Sequence, residues 1–321
     1  MKPFELAIAD SLTGALTALT DGFKAKAGGI DLVDRLKERT EEAEKIVCVK
    51  AVKELSGGVR EVESGVTIGA LTTLRDLAAS PLLRAKFPAL ADAAAHAATP
   101  QIRAVATVGG NLCQRPRCWY FRSLDFPCLK KRGATCYALE GENHYHALFG
   151  GGPCHIVHPS NIAPPLIGAG AEFVLHGPGG RRVVPAGEFF VLPSQSMYAE
   201  NVLKSDELVS EIRIPRWPSR SAYVEFREKQ SFDWPLAACA AVHDGEKWNV
   251  VLGAAAPIPW RAAKAEALLR GAAHISPALA EQAADAALDG AQPMSQNAWR
   301  LKLVRAAVRR ALLLADGKEI D

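Results

Sequence analysis

Five of the seven cysteines, Cys113, Cys118, Cys128, Cys136 and Cys154, crowd into one segment, while Cys48 and Cys239 stand alone in apolar surroundings. An odd total, distributed this unevenly, does not suit the disulfide framework of a small secreted chain, in which cysteines are spread throughout. Thiols concentrated in a stretch dense in Arg, Lys, Gly and aromatic residues point instead to a metal site.

The chain around that segment has 321 residues, 49% of them apolar, enough for a sizeable core in about two domains. Its net charge of +3 lacks the concentrated basic surface that a phosphate backbone requires, so nucleic acid is not an expected partner. Glu5 and Asp10 interrupt the first residues where a secretory signal would be apolar, and no later stretch reaches about 18 apolar residues. No membrane insertion is expected; the compartment is cytoplasmic, or periplasmic if a signal-bearing partner carries the folded chain across.

Apolar spacing predicts a helix over Glu5–Thr20, then Ala25–Ala27 and a glycine turn, with short strands at Ile46–Val49, Val59–Val62 and Gly65–Ile68. Leu71–Ala97 reads as two helices separated by Pro81 and Pro88. Beyond the cysteines, a helix is predicted at Ile162–Gly168 and strands at Ala171–His176, Arg181–Val184 and Val209–Ile214. Pro215 to Ser219 marks a domain boundary. Three strands (Tyr223–Phe226, Ala237–Val242, Trp248–Ala254) and three helices (Arg261–Arg270, Pro277–Asp289, Gln296–Ala315) follow it.

Two glycine turns share a form: Ala27-Gly28-Gly29-Ile30-Asp31-Leu32 and Thr107-Val108-Gly109-Gly110-Asn111-Leu112. Paired glycines let backbone N–H groups turn inward and form a nest for an anion such as a pyrophosphate, with Thr107 and Asn111 offering side-chain hydrogen bonds. Neither matches G-x-G-x-x-G, and either alone reads as a tight turn.

Lys24-Ala25-Lys26-Ala27-Gly28-Gly29-Ile30-Asp31-Leu32 resembles the first FAD pyrophosphate loop of the flavoprotein subunits of the xanthine dehydrogenase and carbon monoxide dehydrogenase family, and Ala106–Leu112 resembles the second. His158-Pro159-Ser160-Asn161 resembles a third motif beside the flavin, with Asn161 where Asp is usual; Asn keeps the acceptor and loses the charge. The similarity runs collinearly through Asp206-Glu207-Leu208, Ile214-Pro215, Phe226–Pro235 and Pro257–Arg261 to Glu266 and Leu268. The family often has Lys where Glu225 stands and Arg where Lys229 stands. The resemblance implies FAD contacts from the first loop, from Thr107, Gly109, Gly110 and Asn111, from His158, Ser160 and Asn161, and from Lys229.

The connection from the second glycine turn to His158, short in ordinary family members, resembles here the insertion that holds a [4Fe–4S] cluster in 4-hydroxybenzoyl-CoA reductases and periplasmic-type aldehyde oxidoreductases. Arg115–Phe121 and Cys136–Gly141 are most similar to the latter. The implied ligands are Cys118, Cys128, Cys136 and Cys154, with Arg115, Arg117, Lys130, Lys131 and Arg132 near in sequence to balance a cluster's negative charge. Cys113 is expected under the flavin loop, Cys48 and Cys239 in the core, and His144, His146 and His155 at the surface or behind the ligands; His158 would orient the third motif. Four thiolates also suit zinc, although the close C-x₂-C pairs common in structural zinc sites are absent.

The resulting expectation is an α+β protein with the FAD-binding fold shared with vanillyl-alcohol oxidase: a domain over 1–216, made of two α/β subdomains at about 1–57 and 58–216 with an iron–sulfur insertion at about 113–157. A C-terminal domain with a small antiparallel sheet and helices would follow over 217–321. The resemblance implies an oxidoreductase subunit that passes electrons from [2Fe–2S] clusters on a small partner subunit through FAD to an external acceptor. Substrate oxidation would fall to a molybdopterin-binding large subunit, so no catalytic acid, base or nucleophile is expected here. A zinc-stabilised nucleotide-binding module and a stand-alone flavin oxidase are the alternatives.

Overall fold

The computed structural model describes residues 1–229 and 232–319, so Gln230 and Ser231 of the Phe226–Pro235 similarity lie outside the described residues. The first sheet contains β1 (Glu5–Ile8), β2 (Lys24–Lys26) and β3 (Lys45–Cys48), all parallel, in the order β1-β3-β2. Parallel neighbours need crossovers, supplied by the helices Leu12–Thr20 and Leu32–Lys37. The helix expected over Glu5–Thr20 is thus half strand. Pairing with Lys45–Cys48 draws Glu5–Ile8 into the sheet, and the helix starts only after Ser11, whose hydroxyl accepts from the Gly14 N–H at 3.3 Å.

The second sheet contains β4 (Val59–Glu61), β5 (Val66–Gly69), β6 (Glu172–Gly177), β7 (Gly180–Pro185) and β8 (Leu208–Ile214), antiparallel in the order β4-β5-β8-β6-β7. The chain between β5 and β6 carries the second glycine turn, the cysteines and the His-Pro-Ser motif. It begins with three helices where the sequence predicts two: Leu74–Ala79, Pro81–Lys86 and Pro88–His96. Each proline opens a helix, because its missing N–H is no loss in the first turn. Thr73 and Ser80 cap two of the three, accepting from the N–H groups of Asp76 and Leu83.

Beyond Pro215–Ser219, β9 (Arg220–Phe226), β10 (Ala237–His243), β11 (Trp248–Gly253) and β12 (Trp260–Arg261) form an antiparallel sheet in the order β12-β11-β10-β9. All of β10 is buried, which explains its unbroken run of small apolar residues. Ala238, Ala240 and Val242 face the core shared with the second sheet, while Ala237, Cys239 and Ala241 face the core under the helix Arg300–Ala315.

Arg300 fastens that helix. Only 1% exposed, its guanidinium donates to the carbonyl oxygens of His146 at 2.6 Å and Leu236 at 2.7 Å, and also to that of Ala254. Burial lowers its pKa to about 10, which leaves it charged at neutral pH. Arg300→Met is expected to strand these carbonyls and to cost at least about 3 kcal/mol of stability, read as a lowered Tm or denaturant midpoint.

Candidate functional site

The two glycine turns meet. A Cβ on Gly28 would stand 2.1 Å from the Val105 carbonyl oxygen, just before the second turn, so only glycine permits this approach. Gly29 has φ +80°, in the left-handed region. Between the turns lies a cleft of about 650 Å³ lined by Ala25 to Leu32, by Thr107, Gly110, Asn111 and Cys113, and by Asn161. Among the described residues, the N–H groups of Gly28, Gly29 and Ile30 make no hydrogen bond within the protein.

Several site residues have other work. Lys24 pairs with Glu41 and does not line the cleft. Thr107 caps the short helix Val108–Leu112, accepting from the Gly110 N–H at 3.2 Å, so its hydroxyl serves the turn before any ligand. Gly109 packs on Ala70 and donates its N–H to the Ala70 carbonyl at 2.9 Å. The Ser160 hydroxyl donates to Asn111 Oδ1 at 2.6 Å, which ties the third motif to the second turn and leaves the Asn111 amide nitrogen for a ligand.

Lys229 stands exposed in the connection from β9 to β10 and lines neither this cleft nor its neighbour. The strand ladder ends before it. Tyr223, Glu225 and Arg227 share one face of the chain leaving β9, and Lys229 follows the end of the ladder at Phe226. Glu225 accepts from Asn161 Nδ2 at 3.0 Å and from the Tyr223 hydroxyl at 2.8 Å, and it pairs with Arg227. Arg227 is therefore the cation brought in beside the third motif, a role the sequence did not assign to it.

A second cavity of about 300 Å³ adjoins the first through Arg117 and Trp234, which line both. Its walls include Trp119, Tyr145, Tyr223, His146 and His158. Burial pushes His146 and His158 down to about 4, so both imidazoles are neutral at physiological pH. His158 Nδ1 accepts from the Ser160 N–H at 3.3 Å, and its ring packs edge-on to Phe190.

The cysteine segment lies between the first glycine turn and the C-terminal helices. On one side Asp31 binds Arg35 at 3.0 Å, Arg117 at 3.1 Å and Arg122 at 2.7 Å, and accepts from the Arg115 N–H. Despite the cost of burial, these positive charges hold the Asp31 carboxyl below its ordinary range. Asp31 thus joins the first turn to the segment and is not free for a ligand. On the other side Asn143 bonds Gln296 and Ser295, and Asn297 donates to the His146 carbonyl.

The basic residues are accordingly committed elsewhere than expected. Arg115 binds Glu200 at 2.9 Å, Arg117 binds Asp31 and stacks over Trp234, Lys131 donates to the Ser123 carbonyl, and Arg132 lies over Tyr198. Lys130, buried against Glu200 at 2.8 Å, is the one whose charge reaches a cysteine, Cys154.

Cys118 lies within electrostatic reach of Cys128 and Cys136, and Cys154 lies close enough to Cys136 to favour the thiolate on Cys136 and hold the proton on Cys154. Burial pushes the Cys118 thiol up to about 12, and its sulfur lies 3.3 Å from His146 Nε2. All seven cysteines are free, and among the described residues no three His, Cys, Asp or Glu side chains could hold one metal ion. Cys113 lines the larger cleft near Asp31, and Cys239 is fully buried. Cys48, expected in the core, is only partly buried, because the first sheet is covered incompletely. His144 is exposed, whereas His146 is 3% exposed and lies behind Cys118, the second of the two placements expected for these histidines.

Residues 2–217 match the model of the FAD binding domain in molybdopterin dehydrogenase, and residues 221–315 match the CO dehydrogenase flavoprotein C-terminal domain. The chain is 31% identical over 309 residues to the aldehyde oxidoreductase FAD-binding subunit PaoB of Escherichia coli K12, covering 92% of each. It is 30% identical to the carbon monoxide dehydrogenase medium chain of Hydrogenophaga pseudoflava, over 84% of this chain and 79% of that one. A solved carbon monoxide dehydrogenase from the same organism, lacking the Mo-pyranopterin moiety, superposes with a TM-score of 0.75 at 29% identity over 99% of both chains. No helix among the described residues is long and apolar enough to cross a membrane. With both models matched in order on an α+β fold of this kind, the chain belongs to the family of FAD-binding flavoprotein subunits of the molybdenum-containing oxidoreductases.

Proposed function

We propose that this chain is the electron-transfer subunit of a heterotrimeric molybdenum hydroxylase, holding FAD in the large cleft and a [4Fe–4S] cluster on Cys118, Cys128, Cys136 and Cys154. The observation that supports the reading is the crowding of Cys118, Cys128, Cys136 and Cys154 into one segment of the sequence, with Cys118 within electrostatic reach of Cys128 and Cys136.

The cleft suits FAD. Free N–H groups at Gly28, Gly29 and Ile30 suit a pyrophosphate, and the adjoining aromatic cavity lined by Trp119, Tyr145, Tyr223 and His158 suits the flavin ring. Bound there, FAD would exchange electrons singly with iron–sulfur clusters and singly or in pairs with an external acceptor. On this reading the residues of this chain bind and orient the flavin and exclude water from it.

The relatives are described as a subunit and a medium chain, which supports assembly with a molybdopterin-binding large subunit and a small subunit carrying [2Fe–2S] clusters. Leu6 and Ile8 share one face of β1 and are 56% and 74% exposed, surface suited to a partner. Aldehydes are the first choice of substrate from the text of the insertion. Affinity purification of the native, tagged chain is expected to recover both partners in equal amounts. Recovery of a lone monomer that oxidises aldehydes by itself would support a stand-alone oxidase instead.

A further inference from the structure

We infer that Glu225 is a positioning residue for the FAD cleft: its carboxylate turns the side-chain amide of Asn161 so that Oδ1, an acceptor, is left for the ligand. The inference rests on the FAD reading above. Asn161 lines the glycine cleft, and its Nδ2 donates to Glu225 Oε2 at 3.0 Å. A carboxylate accepts and has nothing to donate, so the amide nitrogen must be the end that faces it.

The carboxylate is itself fixed. The Glu225 side chain is 4% exposed, and a charge buried so deeply needs an opposite charge and hydrogen bonds around it. Oε2 also accepts from the Tyr223 hydroxyl at 2.8 Å. Burial, together with the Glu225 charge, raises the Tyr223 phenol well above its ordinary range, so that proton stays in place. On its other side the carboxylate forms an ion pair with Arg227, whose guanidinium donates to the His96 carbonyl. The next two residues, Ala97 and Ala98, line the same cleft. Ala98 has φ +47°, in the left-handed region, and Arg103 holds this bend by donating to the carbonyls of Ala97 at 3.0 Å and Ala98 at 2.7 Å. Glu225 thus ties together two stretches of the cleft lining that are distant in sequence.

The polarity of the contact can be reversed and then restored. In Glu225→Gln the Arg227 guanidinium draws the new amide oxygen, which turns the new amide nitrogen toward Asn161. Asn161 must then turn Oδ1 to meet it and present Nδ2, a donor, to the cleft. Asn161→Asp instead sets two carboxylates against each other. With both substitutions the new carboxylate accepts from the new amide, and an acceptor faces the cleft again.

The test is FAD titrated into the purified, flavin-stripped protein and followed by flavin fluorescence, with a thermal melt of each stripped variant alongside. Each single variant is expected to bind FAD at least about tenfold more weakly than the wild type. The double variant should recover most of that loss. Wild-type affinity in both single variants, or a double variant that combines the two losses in full, would overturn the role of Glu225. Losses of FAD that merely follow a lowered Tm in all three variants would also overturn it, because they would show a contact that only supports the fold. A stripped wild-type protein that takes up no FAD would instead remove the FAD reading itself.

Discussion

Replacement of Cys118, Cys128, Cys136 or Cys154 by Ser is expected to remove nearly all of the iron and acid-labile sulfide assigned to this chain, about four of each. Serine is a harder and far less readily ionised ligand than a thiolate, so one lost ligand leaves one iron open to solvent and the cluster labile. Cys113→Ser, Cys48→Ser and Cys239→Ser should retain the metal. FAD should fall as well, but less. The segment grips the first glycine turn through Arg117 and Arg122 on Asp31, and it also joins Asn111 to His158, so a segment that loosens without its cluster releases both sides of the cleft. Iron, sulfide and flavin assayed on the same samples check the order of these losses. Full iron in Cys118→Ser with iron lost in Cys113→Ser would mean that the wrong four of five thiols had been chosen.

Gly28→Val is expected to abolish FAD retention through purification, a loss of affinity of at least about a hundredfold, or about 2.8 kcal/mol. The atom that a side chain would meet is the Val105 carbonyl oxygen at 2.1 Å, a backbone atom that cannot swing aside, so the two turns must part. Gly29→Val should also deplete FAD through its left-handed φ and the adjacent Val33 and Lys26 side chains. Gly110→Val should be milder, because the neighbour of its added Cβ is the Thr107 hydroxyl at 3.0 Å. Flavin absorbance after gel filtration ranks the three. Iron should stay near the wild-type level in each; equal loss of flavin and iron would indicate general misfolding, and full flavin in Gly28→Val would remove the basis for the first turn.

Much of this was legible because glycine pairs, prolines and clustered cysteines state their constraints locally. Prolines mark helix starts, and a run such as Ala237–Val242 can be fully apolar only if buried on both faces. Contacts across the chain were less legible. The helical spacing of Glu5–Ile8 gave way to pairing with Lys45–Cys48, which no local pattern announces. Asp31 sits within a ligand-loop motif, yet its partners Arg117 and Arg122 lie far along the sequence. Likewise nothing near His146 in sequence signals Cys118.

The most direct measurement is a crystal structure of the purified complex with diffraction recorded across the iron absorption edge. The result expected is FAD with its pyrophosphate between Gly28–Ile30 and Gly110–Asn111, and anomalous iron density bonded to Cys118, Cys128, Cys136 and Cys154. A zinc-edge signal at these cysteines, or a flavin bound elsewhere on the chain, would contradict it.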